Sequence, residues 1–273
     1  MAGRRNSGGR TIAKRSHLPL TLARFFSFLF CLCLTVQIAY SASDPANTAR
    51  NSQTRVTPAI VIGFVGGFVH RDDARHSEVQ LAEKLHATYS STRVEVFENR
   101  QRDLAHHAIL DWLDRDKDGD LSNPEKQEAR IILFGHSWGA AAALVLAREL
   151  QKDGIPVLLT VQVDSIAKKG QDDRIVPANV AKAINFYQTR GLLHGRKKIT
   201  AADPAKTQIL GDVRFDYDAG TPAECKSYPW YDRYFFKGHT AIECDPHVWS
   251  QIEGLIAGYL AHPDSVSSEA ALR

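Results

Sequence analysis

The pentapeptide at residues 135–139, Gly-His-Ser-Trp-Gly, constrains the fold of this 273-residue chain more than any other segment. The apolar run 131–134 precedes it, and the alanine-rich stretch 140–150, which contains no helix breaker, follows it. This order predicts a buried parallel strand, a sharp turn and a helix packed on that strand. Glycines at both ends let strand and helix approach closely because they carry no Cβ atom. The segment therefore predicts a turn that points the Ser137 hydroxyl out of the sheet.

The strand, Gly-x-Ser-x-Gly and helix resemble the nucleophile elbow of the α/β-hydrolase superfamily, on its lipase and esterase side. The resemblance covers most of the chain after about residue 55. It implies an α/β fold with a mostly parallel central sheet flanked by helices, and a Ser, acid, His triad in that chain order. It further implies a serine hydrolase that cleaves a carboxylic ester, from a small molecule or a lipid, through an acyl-enzyme in which Ser137 is the nucleophile.

Two other functions remain open at this stage. The same machinery serves thioesterases, acyltransferases and amidases. The chain is alternatively a non-catalytic, calcium-stabilised exported binding protein. An activated serine, detected with a fluorophosphonate probe, separates the enzymes from the binding protein.

Strand-like and helix-like segments alternate along the chain, which is typical of a parallel sheet. Strands are predicted at residues 59–64, 94–97, 131–134 and 156–163. Helices are predicted at residues 76–89, 104–113, 138–151 and 178–189, with a closing helix after Asp245-Pro246. Residues 191–237 are expected to form further strands and irregular connections.

The first 43 residues have the layout of a secretory signal peptide. Basic residues precede the apolar run 25–39, and the small residues Ser41-Ala42-Ser43 follow it. The run is short for a membrane span, so we predict cleavage and export to the periplasm or the medium. A retained anchor is the alternative. Residues 44–273 are then the α/β-hydrolase domain, with no stable membrane span after cleavage.

Removal of the signal leaves 28 basic and 31 acidic residues, a net charge of −3, which does not suggest a nucleic-acid partner. The oligomeric state does not follow from the sequence. Cys225 and Cys244 are the two cysteines that remain, and an oxidising compartment favours a disulfide between them. The loop that this disulfide closes would contain His239.

A serine hydroxyl needs a base to take its proton and an acid to orient that base. His239 is the predicted base, because it precedes the closing helix, where the superfamily places its histidine. Three other histidines downstream fit less well, since they lie in the tail, on the closing helix or after a segment without a strand: His262, His247 and His194.

Asp164 is the predicted acid because it ends the strand 156–163, at the edge where active-site groups of open α/β sheets gather. Asp173 is the competing candidate, since its segment resembles the Gly-x-x-Asp-x-x-Val-Pro found around the acid of many family members. Asp172 is a weaker alternative. The superfamily more often carries its acid one strand later than Asp164.

An oxyanion hole needs two backbone N–H groups. The resemblance assigns one to Trp138, which follows the nucleophile. Residues 63–67 resemble the His-Gly-x-Gly-Gly type of loop, so Phe64 is predicted as the second donor, with Val65 as the alternative.

Residues 114–125 match the twelve-position calcium loop of the EF-hand. Glycine occupies position six and serine position nine. The acidic positions one, three, five, seven and twelve are Asp114, Asp116, Asp118, Asp120 and Glu125. Asp120 would bind through its main-chain carbonyl. We therefore expect a structural Ca²⁺ ion in an EF-hand-like loop directly before the nucleophile strand.

Overall fold

Strands and helices alternate through residues 57–261, the part of the chain that the computed structural model describes. The strands are β1 (Ile60–Val65), β2 (Arg93–Glu98), β3 (Ile131–His136), β4 (Val157–Val163), β5 (Ile175–Val176), β6 (Val180–Tyr187), β7 (Thr200–Ala201) and β8 (Gln208–Arg214). The α-helices are α1 (Ser77–Thr88), α2 (Arg102–Leu113), α3 (Asn123–Gln127), α4 (Trp138–Lys152), α5 (Trp230–Phe235), α6 (Lys237–Cys244) and α7 (Pro246–Ala261). A 3₁₀ turn, Ala223–Ser227, precedes α5.

Six of these strands form one sheet in the order β2-β1-β3-β4-β6-β8, and every neighbouring pair in it is parallel. The remaining strands, β5 and β7, form a separate two-residue parallel ladder. The predicted fold class, a mostly parallel central sheet flanked by helices, is confirmed. β3 and β4 lie at the centre of the sheet. Because they are parallel, their carboxyl ends lie at the same edge.

Apolar side chains cover both faces of the sheet, because successive residues of a strand point to opposite sides. Ile60 and Ile62 of β1 pack in one cluster with α2 and α4. Val61 and Val65 pack in a second cluster with α1, α6 and α7. The sheet therefore lies between two helical layers. Helix α4 packs on one face and helix α6 on the other.

The predicted helix over residues 178–189 is wrong, because this segment forms strand β6 between β4 and β8. Its buried residues Val180, Ala183 and Phe186 are three apart, which imitates a helical face. A strand covered on both faces carries no clear two-residue period, so periodicity cannot separate it from a short helix.

The other predicted strands and helices form within a few residues of the expected bounds. Cys225 and Cys244 are joined as a disulfide, with Cα atoms 5.3 Å apart. The predicted signal peptide at residues 1–43 lies outside the described residues. Between residues 57 and 261, the helices do not combine the length and the apolar content that a membrane crossing requires.

Candidate active site

The turn between β3 and α4 has the strained geometry that the pentapeptide predicts. Ser137 has φ 56° and ψ −123°, a region that non-glycine residues rarely occupy. A Cβ atom at Gly135 would lie 2.6 Å from the carbonyl carbon of Gly139, and one at Gly139 would lie 2.1 Å from the carbonyl oxygen of Phe64. Both glycines are therefore required for the close approach of strand and helix.

Ser137 and His239 are hydrogen-bonded, although they lie 102 residues apart in the chain. The Ser137 Oγ to His239 Nε2 distance is 2.8 Å, and His239 Nδ1 lies 2.7 Å from Asp164 Oδ2. Because a carboxylate only accepts, a neutral His239 donates its Nδ1–H to Asp164 and accepts the serine proton at Nε2. The structure thus brings together the three residues predicted for the triad.

The Asp164 carboxylate is fully buried and receives several hydrogen bonds. Besides His239, its donors are the Gln188 side chain at 2.8 Å, the Gly195 amide at 2.7 Å and the Gln188 amide at 3.3 Å. Burial alone raises the pKa of this carboxyl, but the hydrogen bonds, led by that of His239, outweigh it and hold the pKa below its usual value. Asp164 is therefore the ionised partner of His239.

Sequence reasoning missed Gln188 and Gly195. Gln188 directly follows β6, which the sequence had predicted as a helix, and Gly195 lies in a connection without a recognisable pattern. A strand assignment for residues 180–187 would have placed Gln188 at the carboxyl edge of the sheet, beside Asp164.

Asp173, the competing acid, lies in a different network. It accepts from the Arg196 Nε at 2.7 Å and from the Ser165 hydroxyl at 3.0 Å. Asp172 accepts the amide of Arg174 at 2.8 Å. The described structure shows Asp164, rather than either alternative, in contact with the histidine.

The candidate histidines differ in how far they are buried. His194 and His247 are exposed, and His262 lies outside the described residues. His239 is buried on α6, a short helix before the closing helix, rather than in the loop that was expected.

The loop position expected for Phe64 is wrong, because Phe64 lies inside β1 with Phe97 and Gly135 as register partners. Amides in the middle of a central parallel strand generally donate hydrogen bonds to a neighbouring strand, which weighs against Phe64 as an oxyanion donor. The loop begins at Gly66, where a Cβ atom would lie 3.0 Å from the Cβ of Ser137. Trp138 is the first residue of α4, where helical N–H groups lack intrahelical partners.

The surface beside Ser137 is aromatic. Phe68 is 81% exposed and packs edge-on against Trp138, with ring centroids 5.4 Å apart. The Lys168 ammonium lies 4.7 Å from the Trp138 ring centroid. Helix α5, which directly precedes the helix of His239, exposes further aromatic side chains: Trp230, Tyr231, Tyr234 and Phe235.

A second group of ionisable side chains lies behind His239. The His136 ring stacks on the His239 ring with centroids 4.4 Å apart, and its Nδ1 is 3.4 Å from Glu243 Oε2. Burial lowers the pKa of His136 to about 4, so this ring is neutral at neutral pH. Glu243 also contacts His76 Nδ1, and the fully buried Glu78 lies close to both.

The predicted calcium loop folds back on itself between α2 and α3. Its carboxylates at positions one, three and five, Asp114, Asp116 and Asp118, each bring one oxygen within 4.8 Å of the other two. Gly119 at position six has φ 91°, the sharp turn that the motif requires. Asp120 is exposed, and its amide donates to Asp118 at 2.9 Å.

Glu125, at position twelve, is held apart from these three carboxylates. It accepts the Arg115 amide at 2.7 Å and forms a capping box with Ser122 at the start of α3. The amide of Arg115 and the hydroxyl of Ser122 lower the pKa of Glu125 to about 2. Asp114, Asp116 and Asp118 are the residues of the loop that could hold a cation, whereas Glu125 is bound to the protein's own donors.

Comparison with known proteins adds only distant structural likeness. No protein-family profile and no curated protein matches the chain. Among solved structures, an acetyl xylan esterase shares 11% identity at a TM-score of 0.36, over 74% of this chain and 99% of that one. A protein assigned to the hydrolases of the α/β superfamily, from Xanthomonas campestris pv. campestris, shares 16% identity at a TM-score of 0.28, over 57% of this chain and 87% of that one. These scores carry no argument about function.

Proposed function

We propose that this protein is a serine hydrolase that cleaves a carboxylic ester through an acyl-enzyme. The observation that carries the proposal is the continuous hydrogen-bonded chain from Ser137 through His239 to Asp164, with distances of 2.8 and 2.7 Å. In this mechanism Ser137 attacks the ester carbonyl as its proton passes to His239 Nε2. Asp164 stabilises the imidazolium that forms, and His239 then returns the proton to the departing alcohol.

The negative charge that develops on the carbonyl oxygen needs donors at the turn. We assign one donor to the Trp138 amide at the N-terminus of α4, where the helix dipole also favours negative charge. The second donor was predicted to be Phe64. The closeness of Gly66 to Ser137 instead favours the loop that begins at Gly66.

The strained backbone supports a functional rather than a structural role for this corner. Among residues 57–261, the non-glycine residues with positive φ are Lys117, Ser137 and Asp164. Two of these three belong to the proposed triad. Such conformations cost on the order of 1–3 kcal/mol each and cluster at active sites, where the surrounding structure holds reactive groups in place.

The test is ester turnover by the Ser137→Ala variant. We expect a loss of roughly 10⁶-fold in kcat, as for other triad nucleophiles, and a similar loss in His239→Ala, because triad members act as a unit. Ser165→Ala is the matched control, since Ser165 is also buried but bonds to Asp173. Near-wild-type turnover by Ser137→Ala, or equal fluorophosphonate labelling of Ser137→Ala and wild type, would refute the proposal.

The aromatic surface beside Ser137 favours an ester with an apolar acyl or alcohol group. Exposed Phe68 and the aromatic side chains of α5 offer contacts to such a group. A series of p-nitrophenyl esters of increasing chain length tests this, with kcat/KM expected to rise from acetate to longer acyl groups. Highest activity on acetate would instead indicate a small acyl group.

We also propose a structural Ca²⁺ ion in the loop at residues 114–125 and export of the protein. The three gathered carboxylates support the ion, and they are oxygen ligands of the kind Ca²⁺ prefers. Export is proposed from the first 43 residues, and the disulfide between Cys225 and Cys244 is consistent with an oxidising compartment. Mass determination of the N-terminus of the exported protein tests cleavage near Ser41 or Ser43.

A further inference from the structure

A buried group of metal-binding side chains lies between α1 and α6. His76, Glu78 and Glu243 each bring one ligand atom within 4.8 Å of the other two. All three residues are buried. They come from distant parts of the sequence, since His76 and Glu243 are 167 positions apart.

Glu78 is the feature that a purely structural role does not explain. Its relative exposure is 0%, and neither carboxylate oxygen makes a hydrogen bond of good geometry, although the backbone amides of Gly66 and Glu78 lie near enough to favour its ionised form. A buried carboxylate without a partner costs several kcal/mol, and native proteins rarely retain one unless a cation or a proton satisfies it. Glu243 adds a second carboxylate to the same place.

One further donor lies beside the group, the hydroxyl of Tyr228. Its ring packs edge-on against His76 at 5.1 Å, and its buried hydroxyl lies near Glu243 and Ser77 without a hydrogen bond of good geometry. Burial, followed by the negative charges of Glu243 and Glu78, raises the pKa of Tyr228. His76 supplies an imidazole, and its Nε2 faces Asp73 Oδ2 at 3.8 Å, an arrangement similar to the outer carboxylates that orient metal-bound histidines.

We infer that His76, Glu78 and Glu243 form a structural site for a divalent transition-metal ion of the zinc class. Two ionised carboxylates and a neutral imidazole carry a charge of −2, which one divalent ion cancels. An imidazole nitrogen with two carboxylate oxygens is a ligand set that Zn²⁺ accepts, whereas Ca²⁺ and Mg²⁺ favour oxygen ligands throughout. The ion would tie the start of α1 to α6, the helix that carries His239.

The experiment is a metal titration of the full exported chain after treatment with a chelator. Zn²⁺ is titrated by calorimetry with Ca²⁺ in excess, so that the acidic loop at residues 114–125 does not contribute. Co²⁺ in place of Zn²⁺ reports the coordination by its visible absorption. We expect one ion per chain in the wild type and binding at least about 100-fold weaker in Glu78→Gln, because one of only three protein ligands is lost.

Three variants keep the test specific. Gln has the shape of Glu and removes a buried charge, so Glu78→Gln should fold. His76→Asn is a second ligand variant with the same expected loss of binding. Glu83→Gln, an exposed position on the same helix, should bind like the wild type. Zn²⁺ should raise the Tm of the wild type and of Glu83→Gln only.

The inference is independent of the proposed enzymatic activity, because the measurements use no substrate. It is overturned if the wild type binds neither Zn²⁺ nor Co²⁺, or if Glu78→Gln and His76→Asn bind as tightly as the wild type. In the first case Glu78 and Glu243 would share a proton instead of a metal ion, and in the second the ion would bind elsewhere.

Discussion

The proposed triad holds one carboxylate and the acidic loop holds several, and the protein satisfies them differently. Asp164 has no exposed surface, and its oxygens are met by donors from His239, Gln188 and Gly195. Asp116 and Asp118 of the loop are exposed, and their donors are backbone amides of the same loop.

The pKa of Asp116 indicates that the loop lacks positive charge near its carboxylates. The amide of Asp118 lowers this pKa, but partial desolvation and the charges of Asp118, Glu125 and Asp114 outweigh the amide, so the net pKa is raised. Desolvation and the neighbouring negative charges both raise this pKa, so the donors of the loop only partly compensate its carboxylates. The carboxylate of the proposed triad is therefore satisfied by protein donors, whereas the loop is short of positive charge.

The largest effect that would test this difference is expected at Asp164. Asp164→Asn should lower kcat roughly 10⁴-fold, because the amide cannot hold His239 in the tautomer that accepts the serine proton. Asp173→Asn is the matched control, since Asp173 is equally buried but pairs with Arg196. We expect that variant to lose less than about tenfold in kcat, together with about 1–3 kcal/mol of stability from broken hydrogen bonds.

Steady-state kinetics and denaturant unfolding of both variants separate these effects. A larger loss of turnover in Asp173→Asn would move the acid to Asp173. Equal losses in the two variants would mean that neither carboxylate has a special role toward His239.

The disulfide should have the next largest effect, and only on the triad side of the molecule. Cys225 and Cys244 are 19 residues apart and enclose His239. Closing a loop of this size stabilises the folded state by about 3 kcal/mol in the chain-entropy model. Cys225→Ser combined with Cys244→Ser should therefore lose turnover on heating before the tryptophan fluorescence reports global unfolding.

Two observations would contradict this expectation for the disulfide. One is a pair of free thiols, found by mass spectrometry in protein recovered from the export compartment. The other is a double-serine variant whose activity and fluorescence are lost at the same temperature as in the wild type.

Calcium should have a similar but slightly smaller effect, and only on the loop side. An ion that binds only the folded state adds about 2.7 kcal/mol when its concentration is one hundred times its Kd. Removal of Ca²⁺ with Zn²⁺ present throughout should therefore lower the Tm, and Glu125→Gln should abolish the response to calcium. Gln preserves the capping box with Ser122, so this variant tests the charge rather than the start of α3.

The control for calcium is Asp72→Asn, which removes an exposed acidic residue outside the loop. Its Tm should respond to calcium as the wild type does. Turnover at low temperature should persist after chelation, because the proposed mechanism uses no metal. A wild-type Tm that neither calcium nor a chelator changes would show that residues 114–125 are only an acidic turn.

The smallest expected effect is on the pH dependence of stability. The pKa of folded Asp164 lies below its ordinary value of 3.8, so on acidification the unfolded chain takes up this proton before the folded protein does. The contribution of Asp164 is therefore present above the unfolded pKa and is lost as the pH falls through the folded pKa. The wild type should lose stability relative to Asp164→Asn below about pH 4, and a constant difference between them would contradict the shift.

The sequence predicted the elbow and the parallel sheet because both depend on local patterns. Glycines around Ser137 and an apolar run before it are short-range signals, and Asp164 was predicted because it ends a clear strand. β6 was mistaken for a helix because burial on both faces removes the two-residue period. That error also concealed Gln188, whose role depends on its place at the end of the strand.

The group of His76, Glu78 and Glu243 could not be predicted for another reason. No sequence spacing joins residues from α1 to a residue of α6, and only the packing of these helices brings them together. The same holds for the stacking of His136 on His239. His136 belongs to the pentapeptide, but nothing in the pentapeptide indicates that its ring is buried against a second histidine.

Helix α6 carries three different connections within eight residues. His239 contacts Ser137, Glu243 contacts His76, and Cys244 is bonded to Cys225. One inserted residue rotates the rest of a helix by about 100°. An insertion between His239 and Glu243 would therefore turn one of these side chains away from its partner. The length of this segment should therefore tolerate less variation than its composition. An insertion after Ala241 should abolish turnover, whereas one beside Ala205, which is exposed between β7 and β8, should leave most of it.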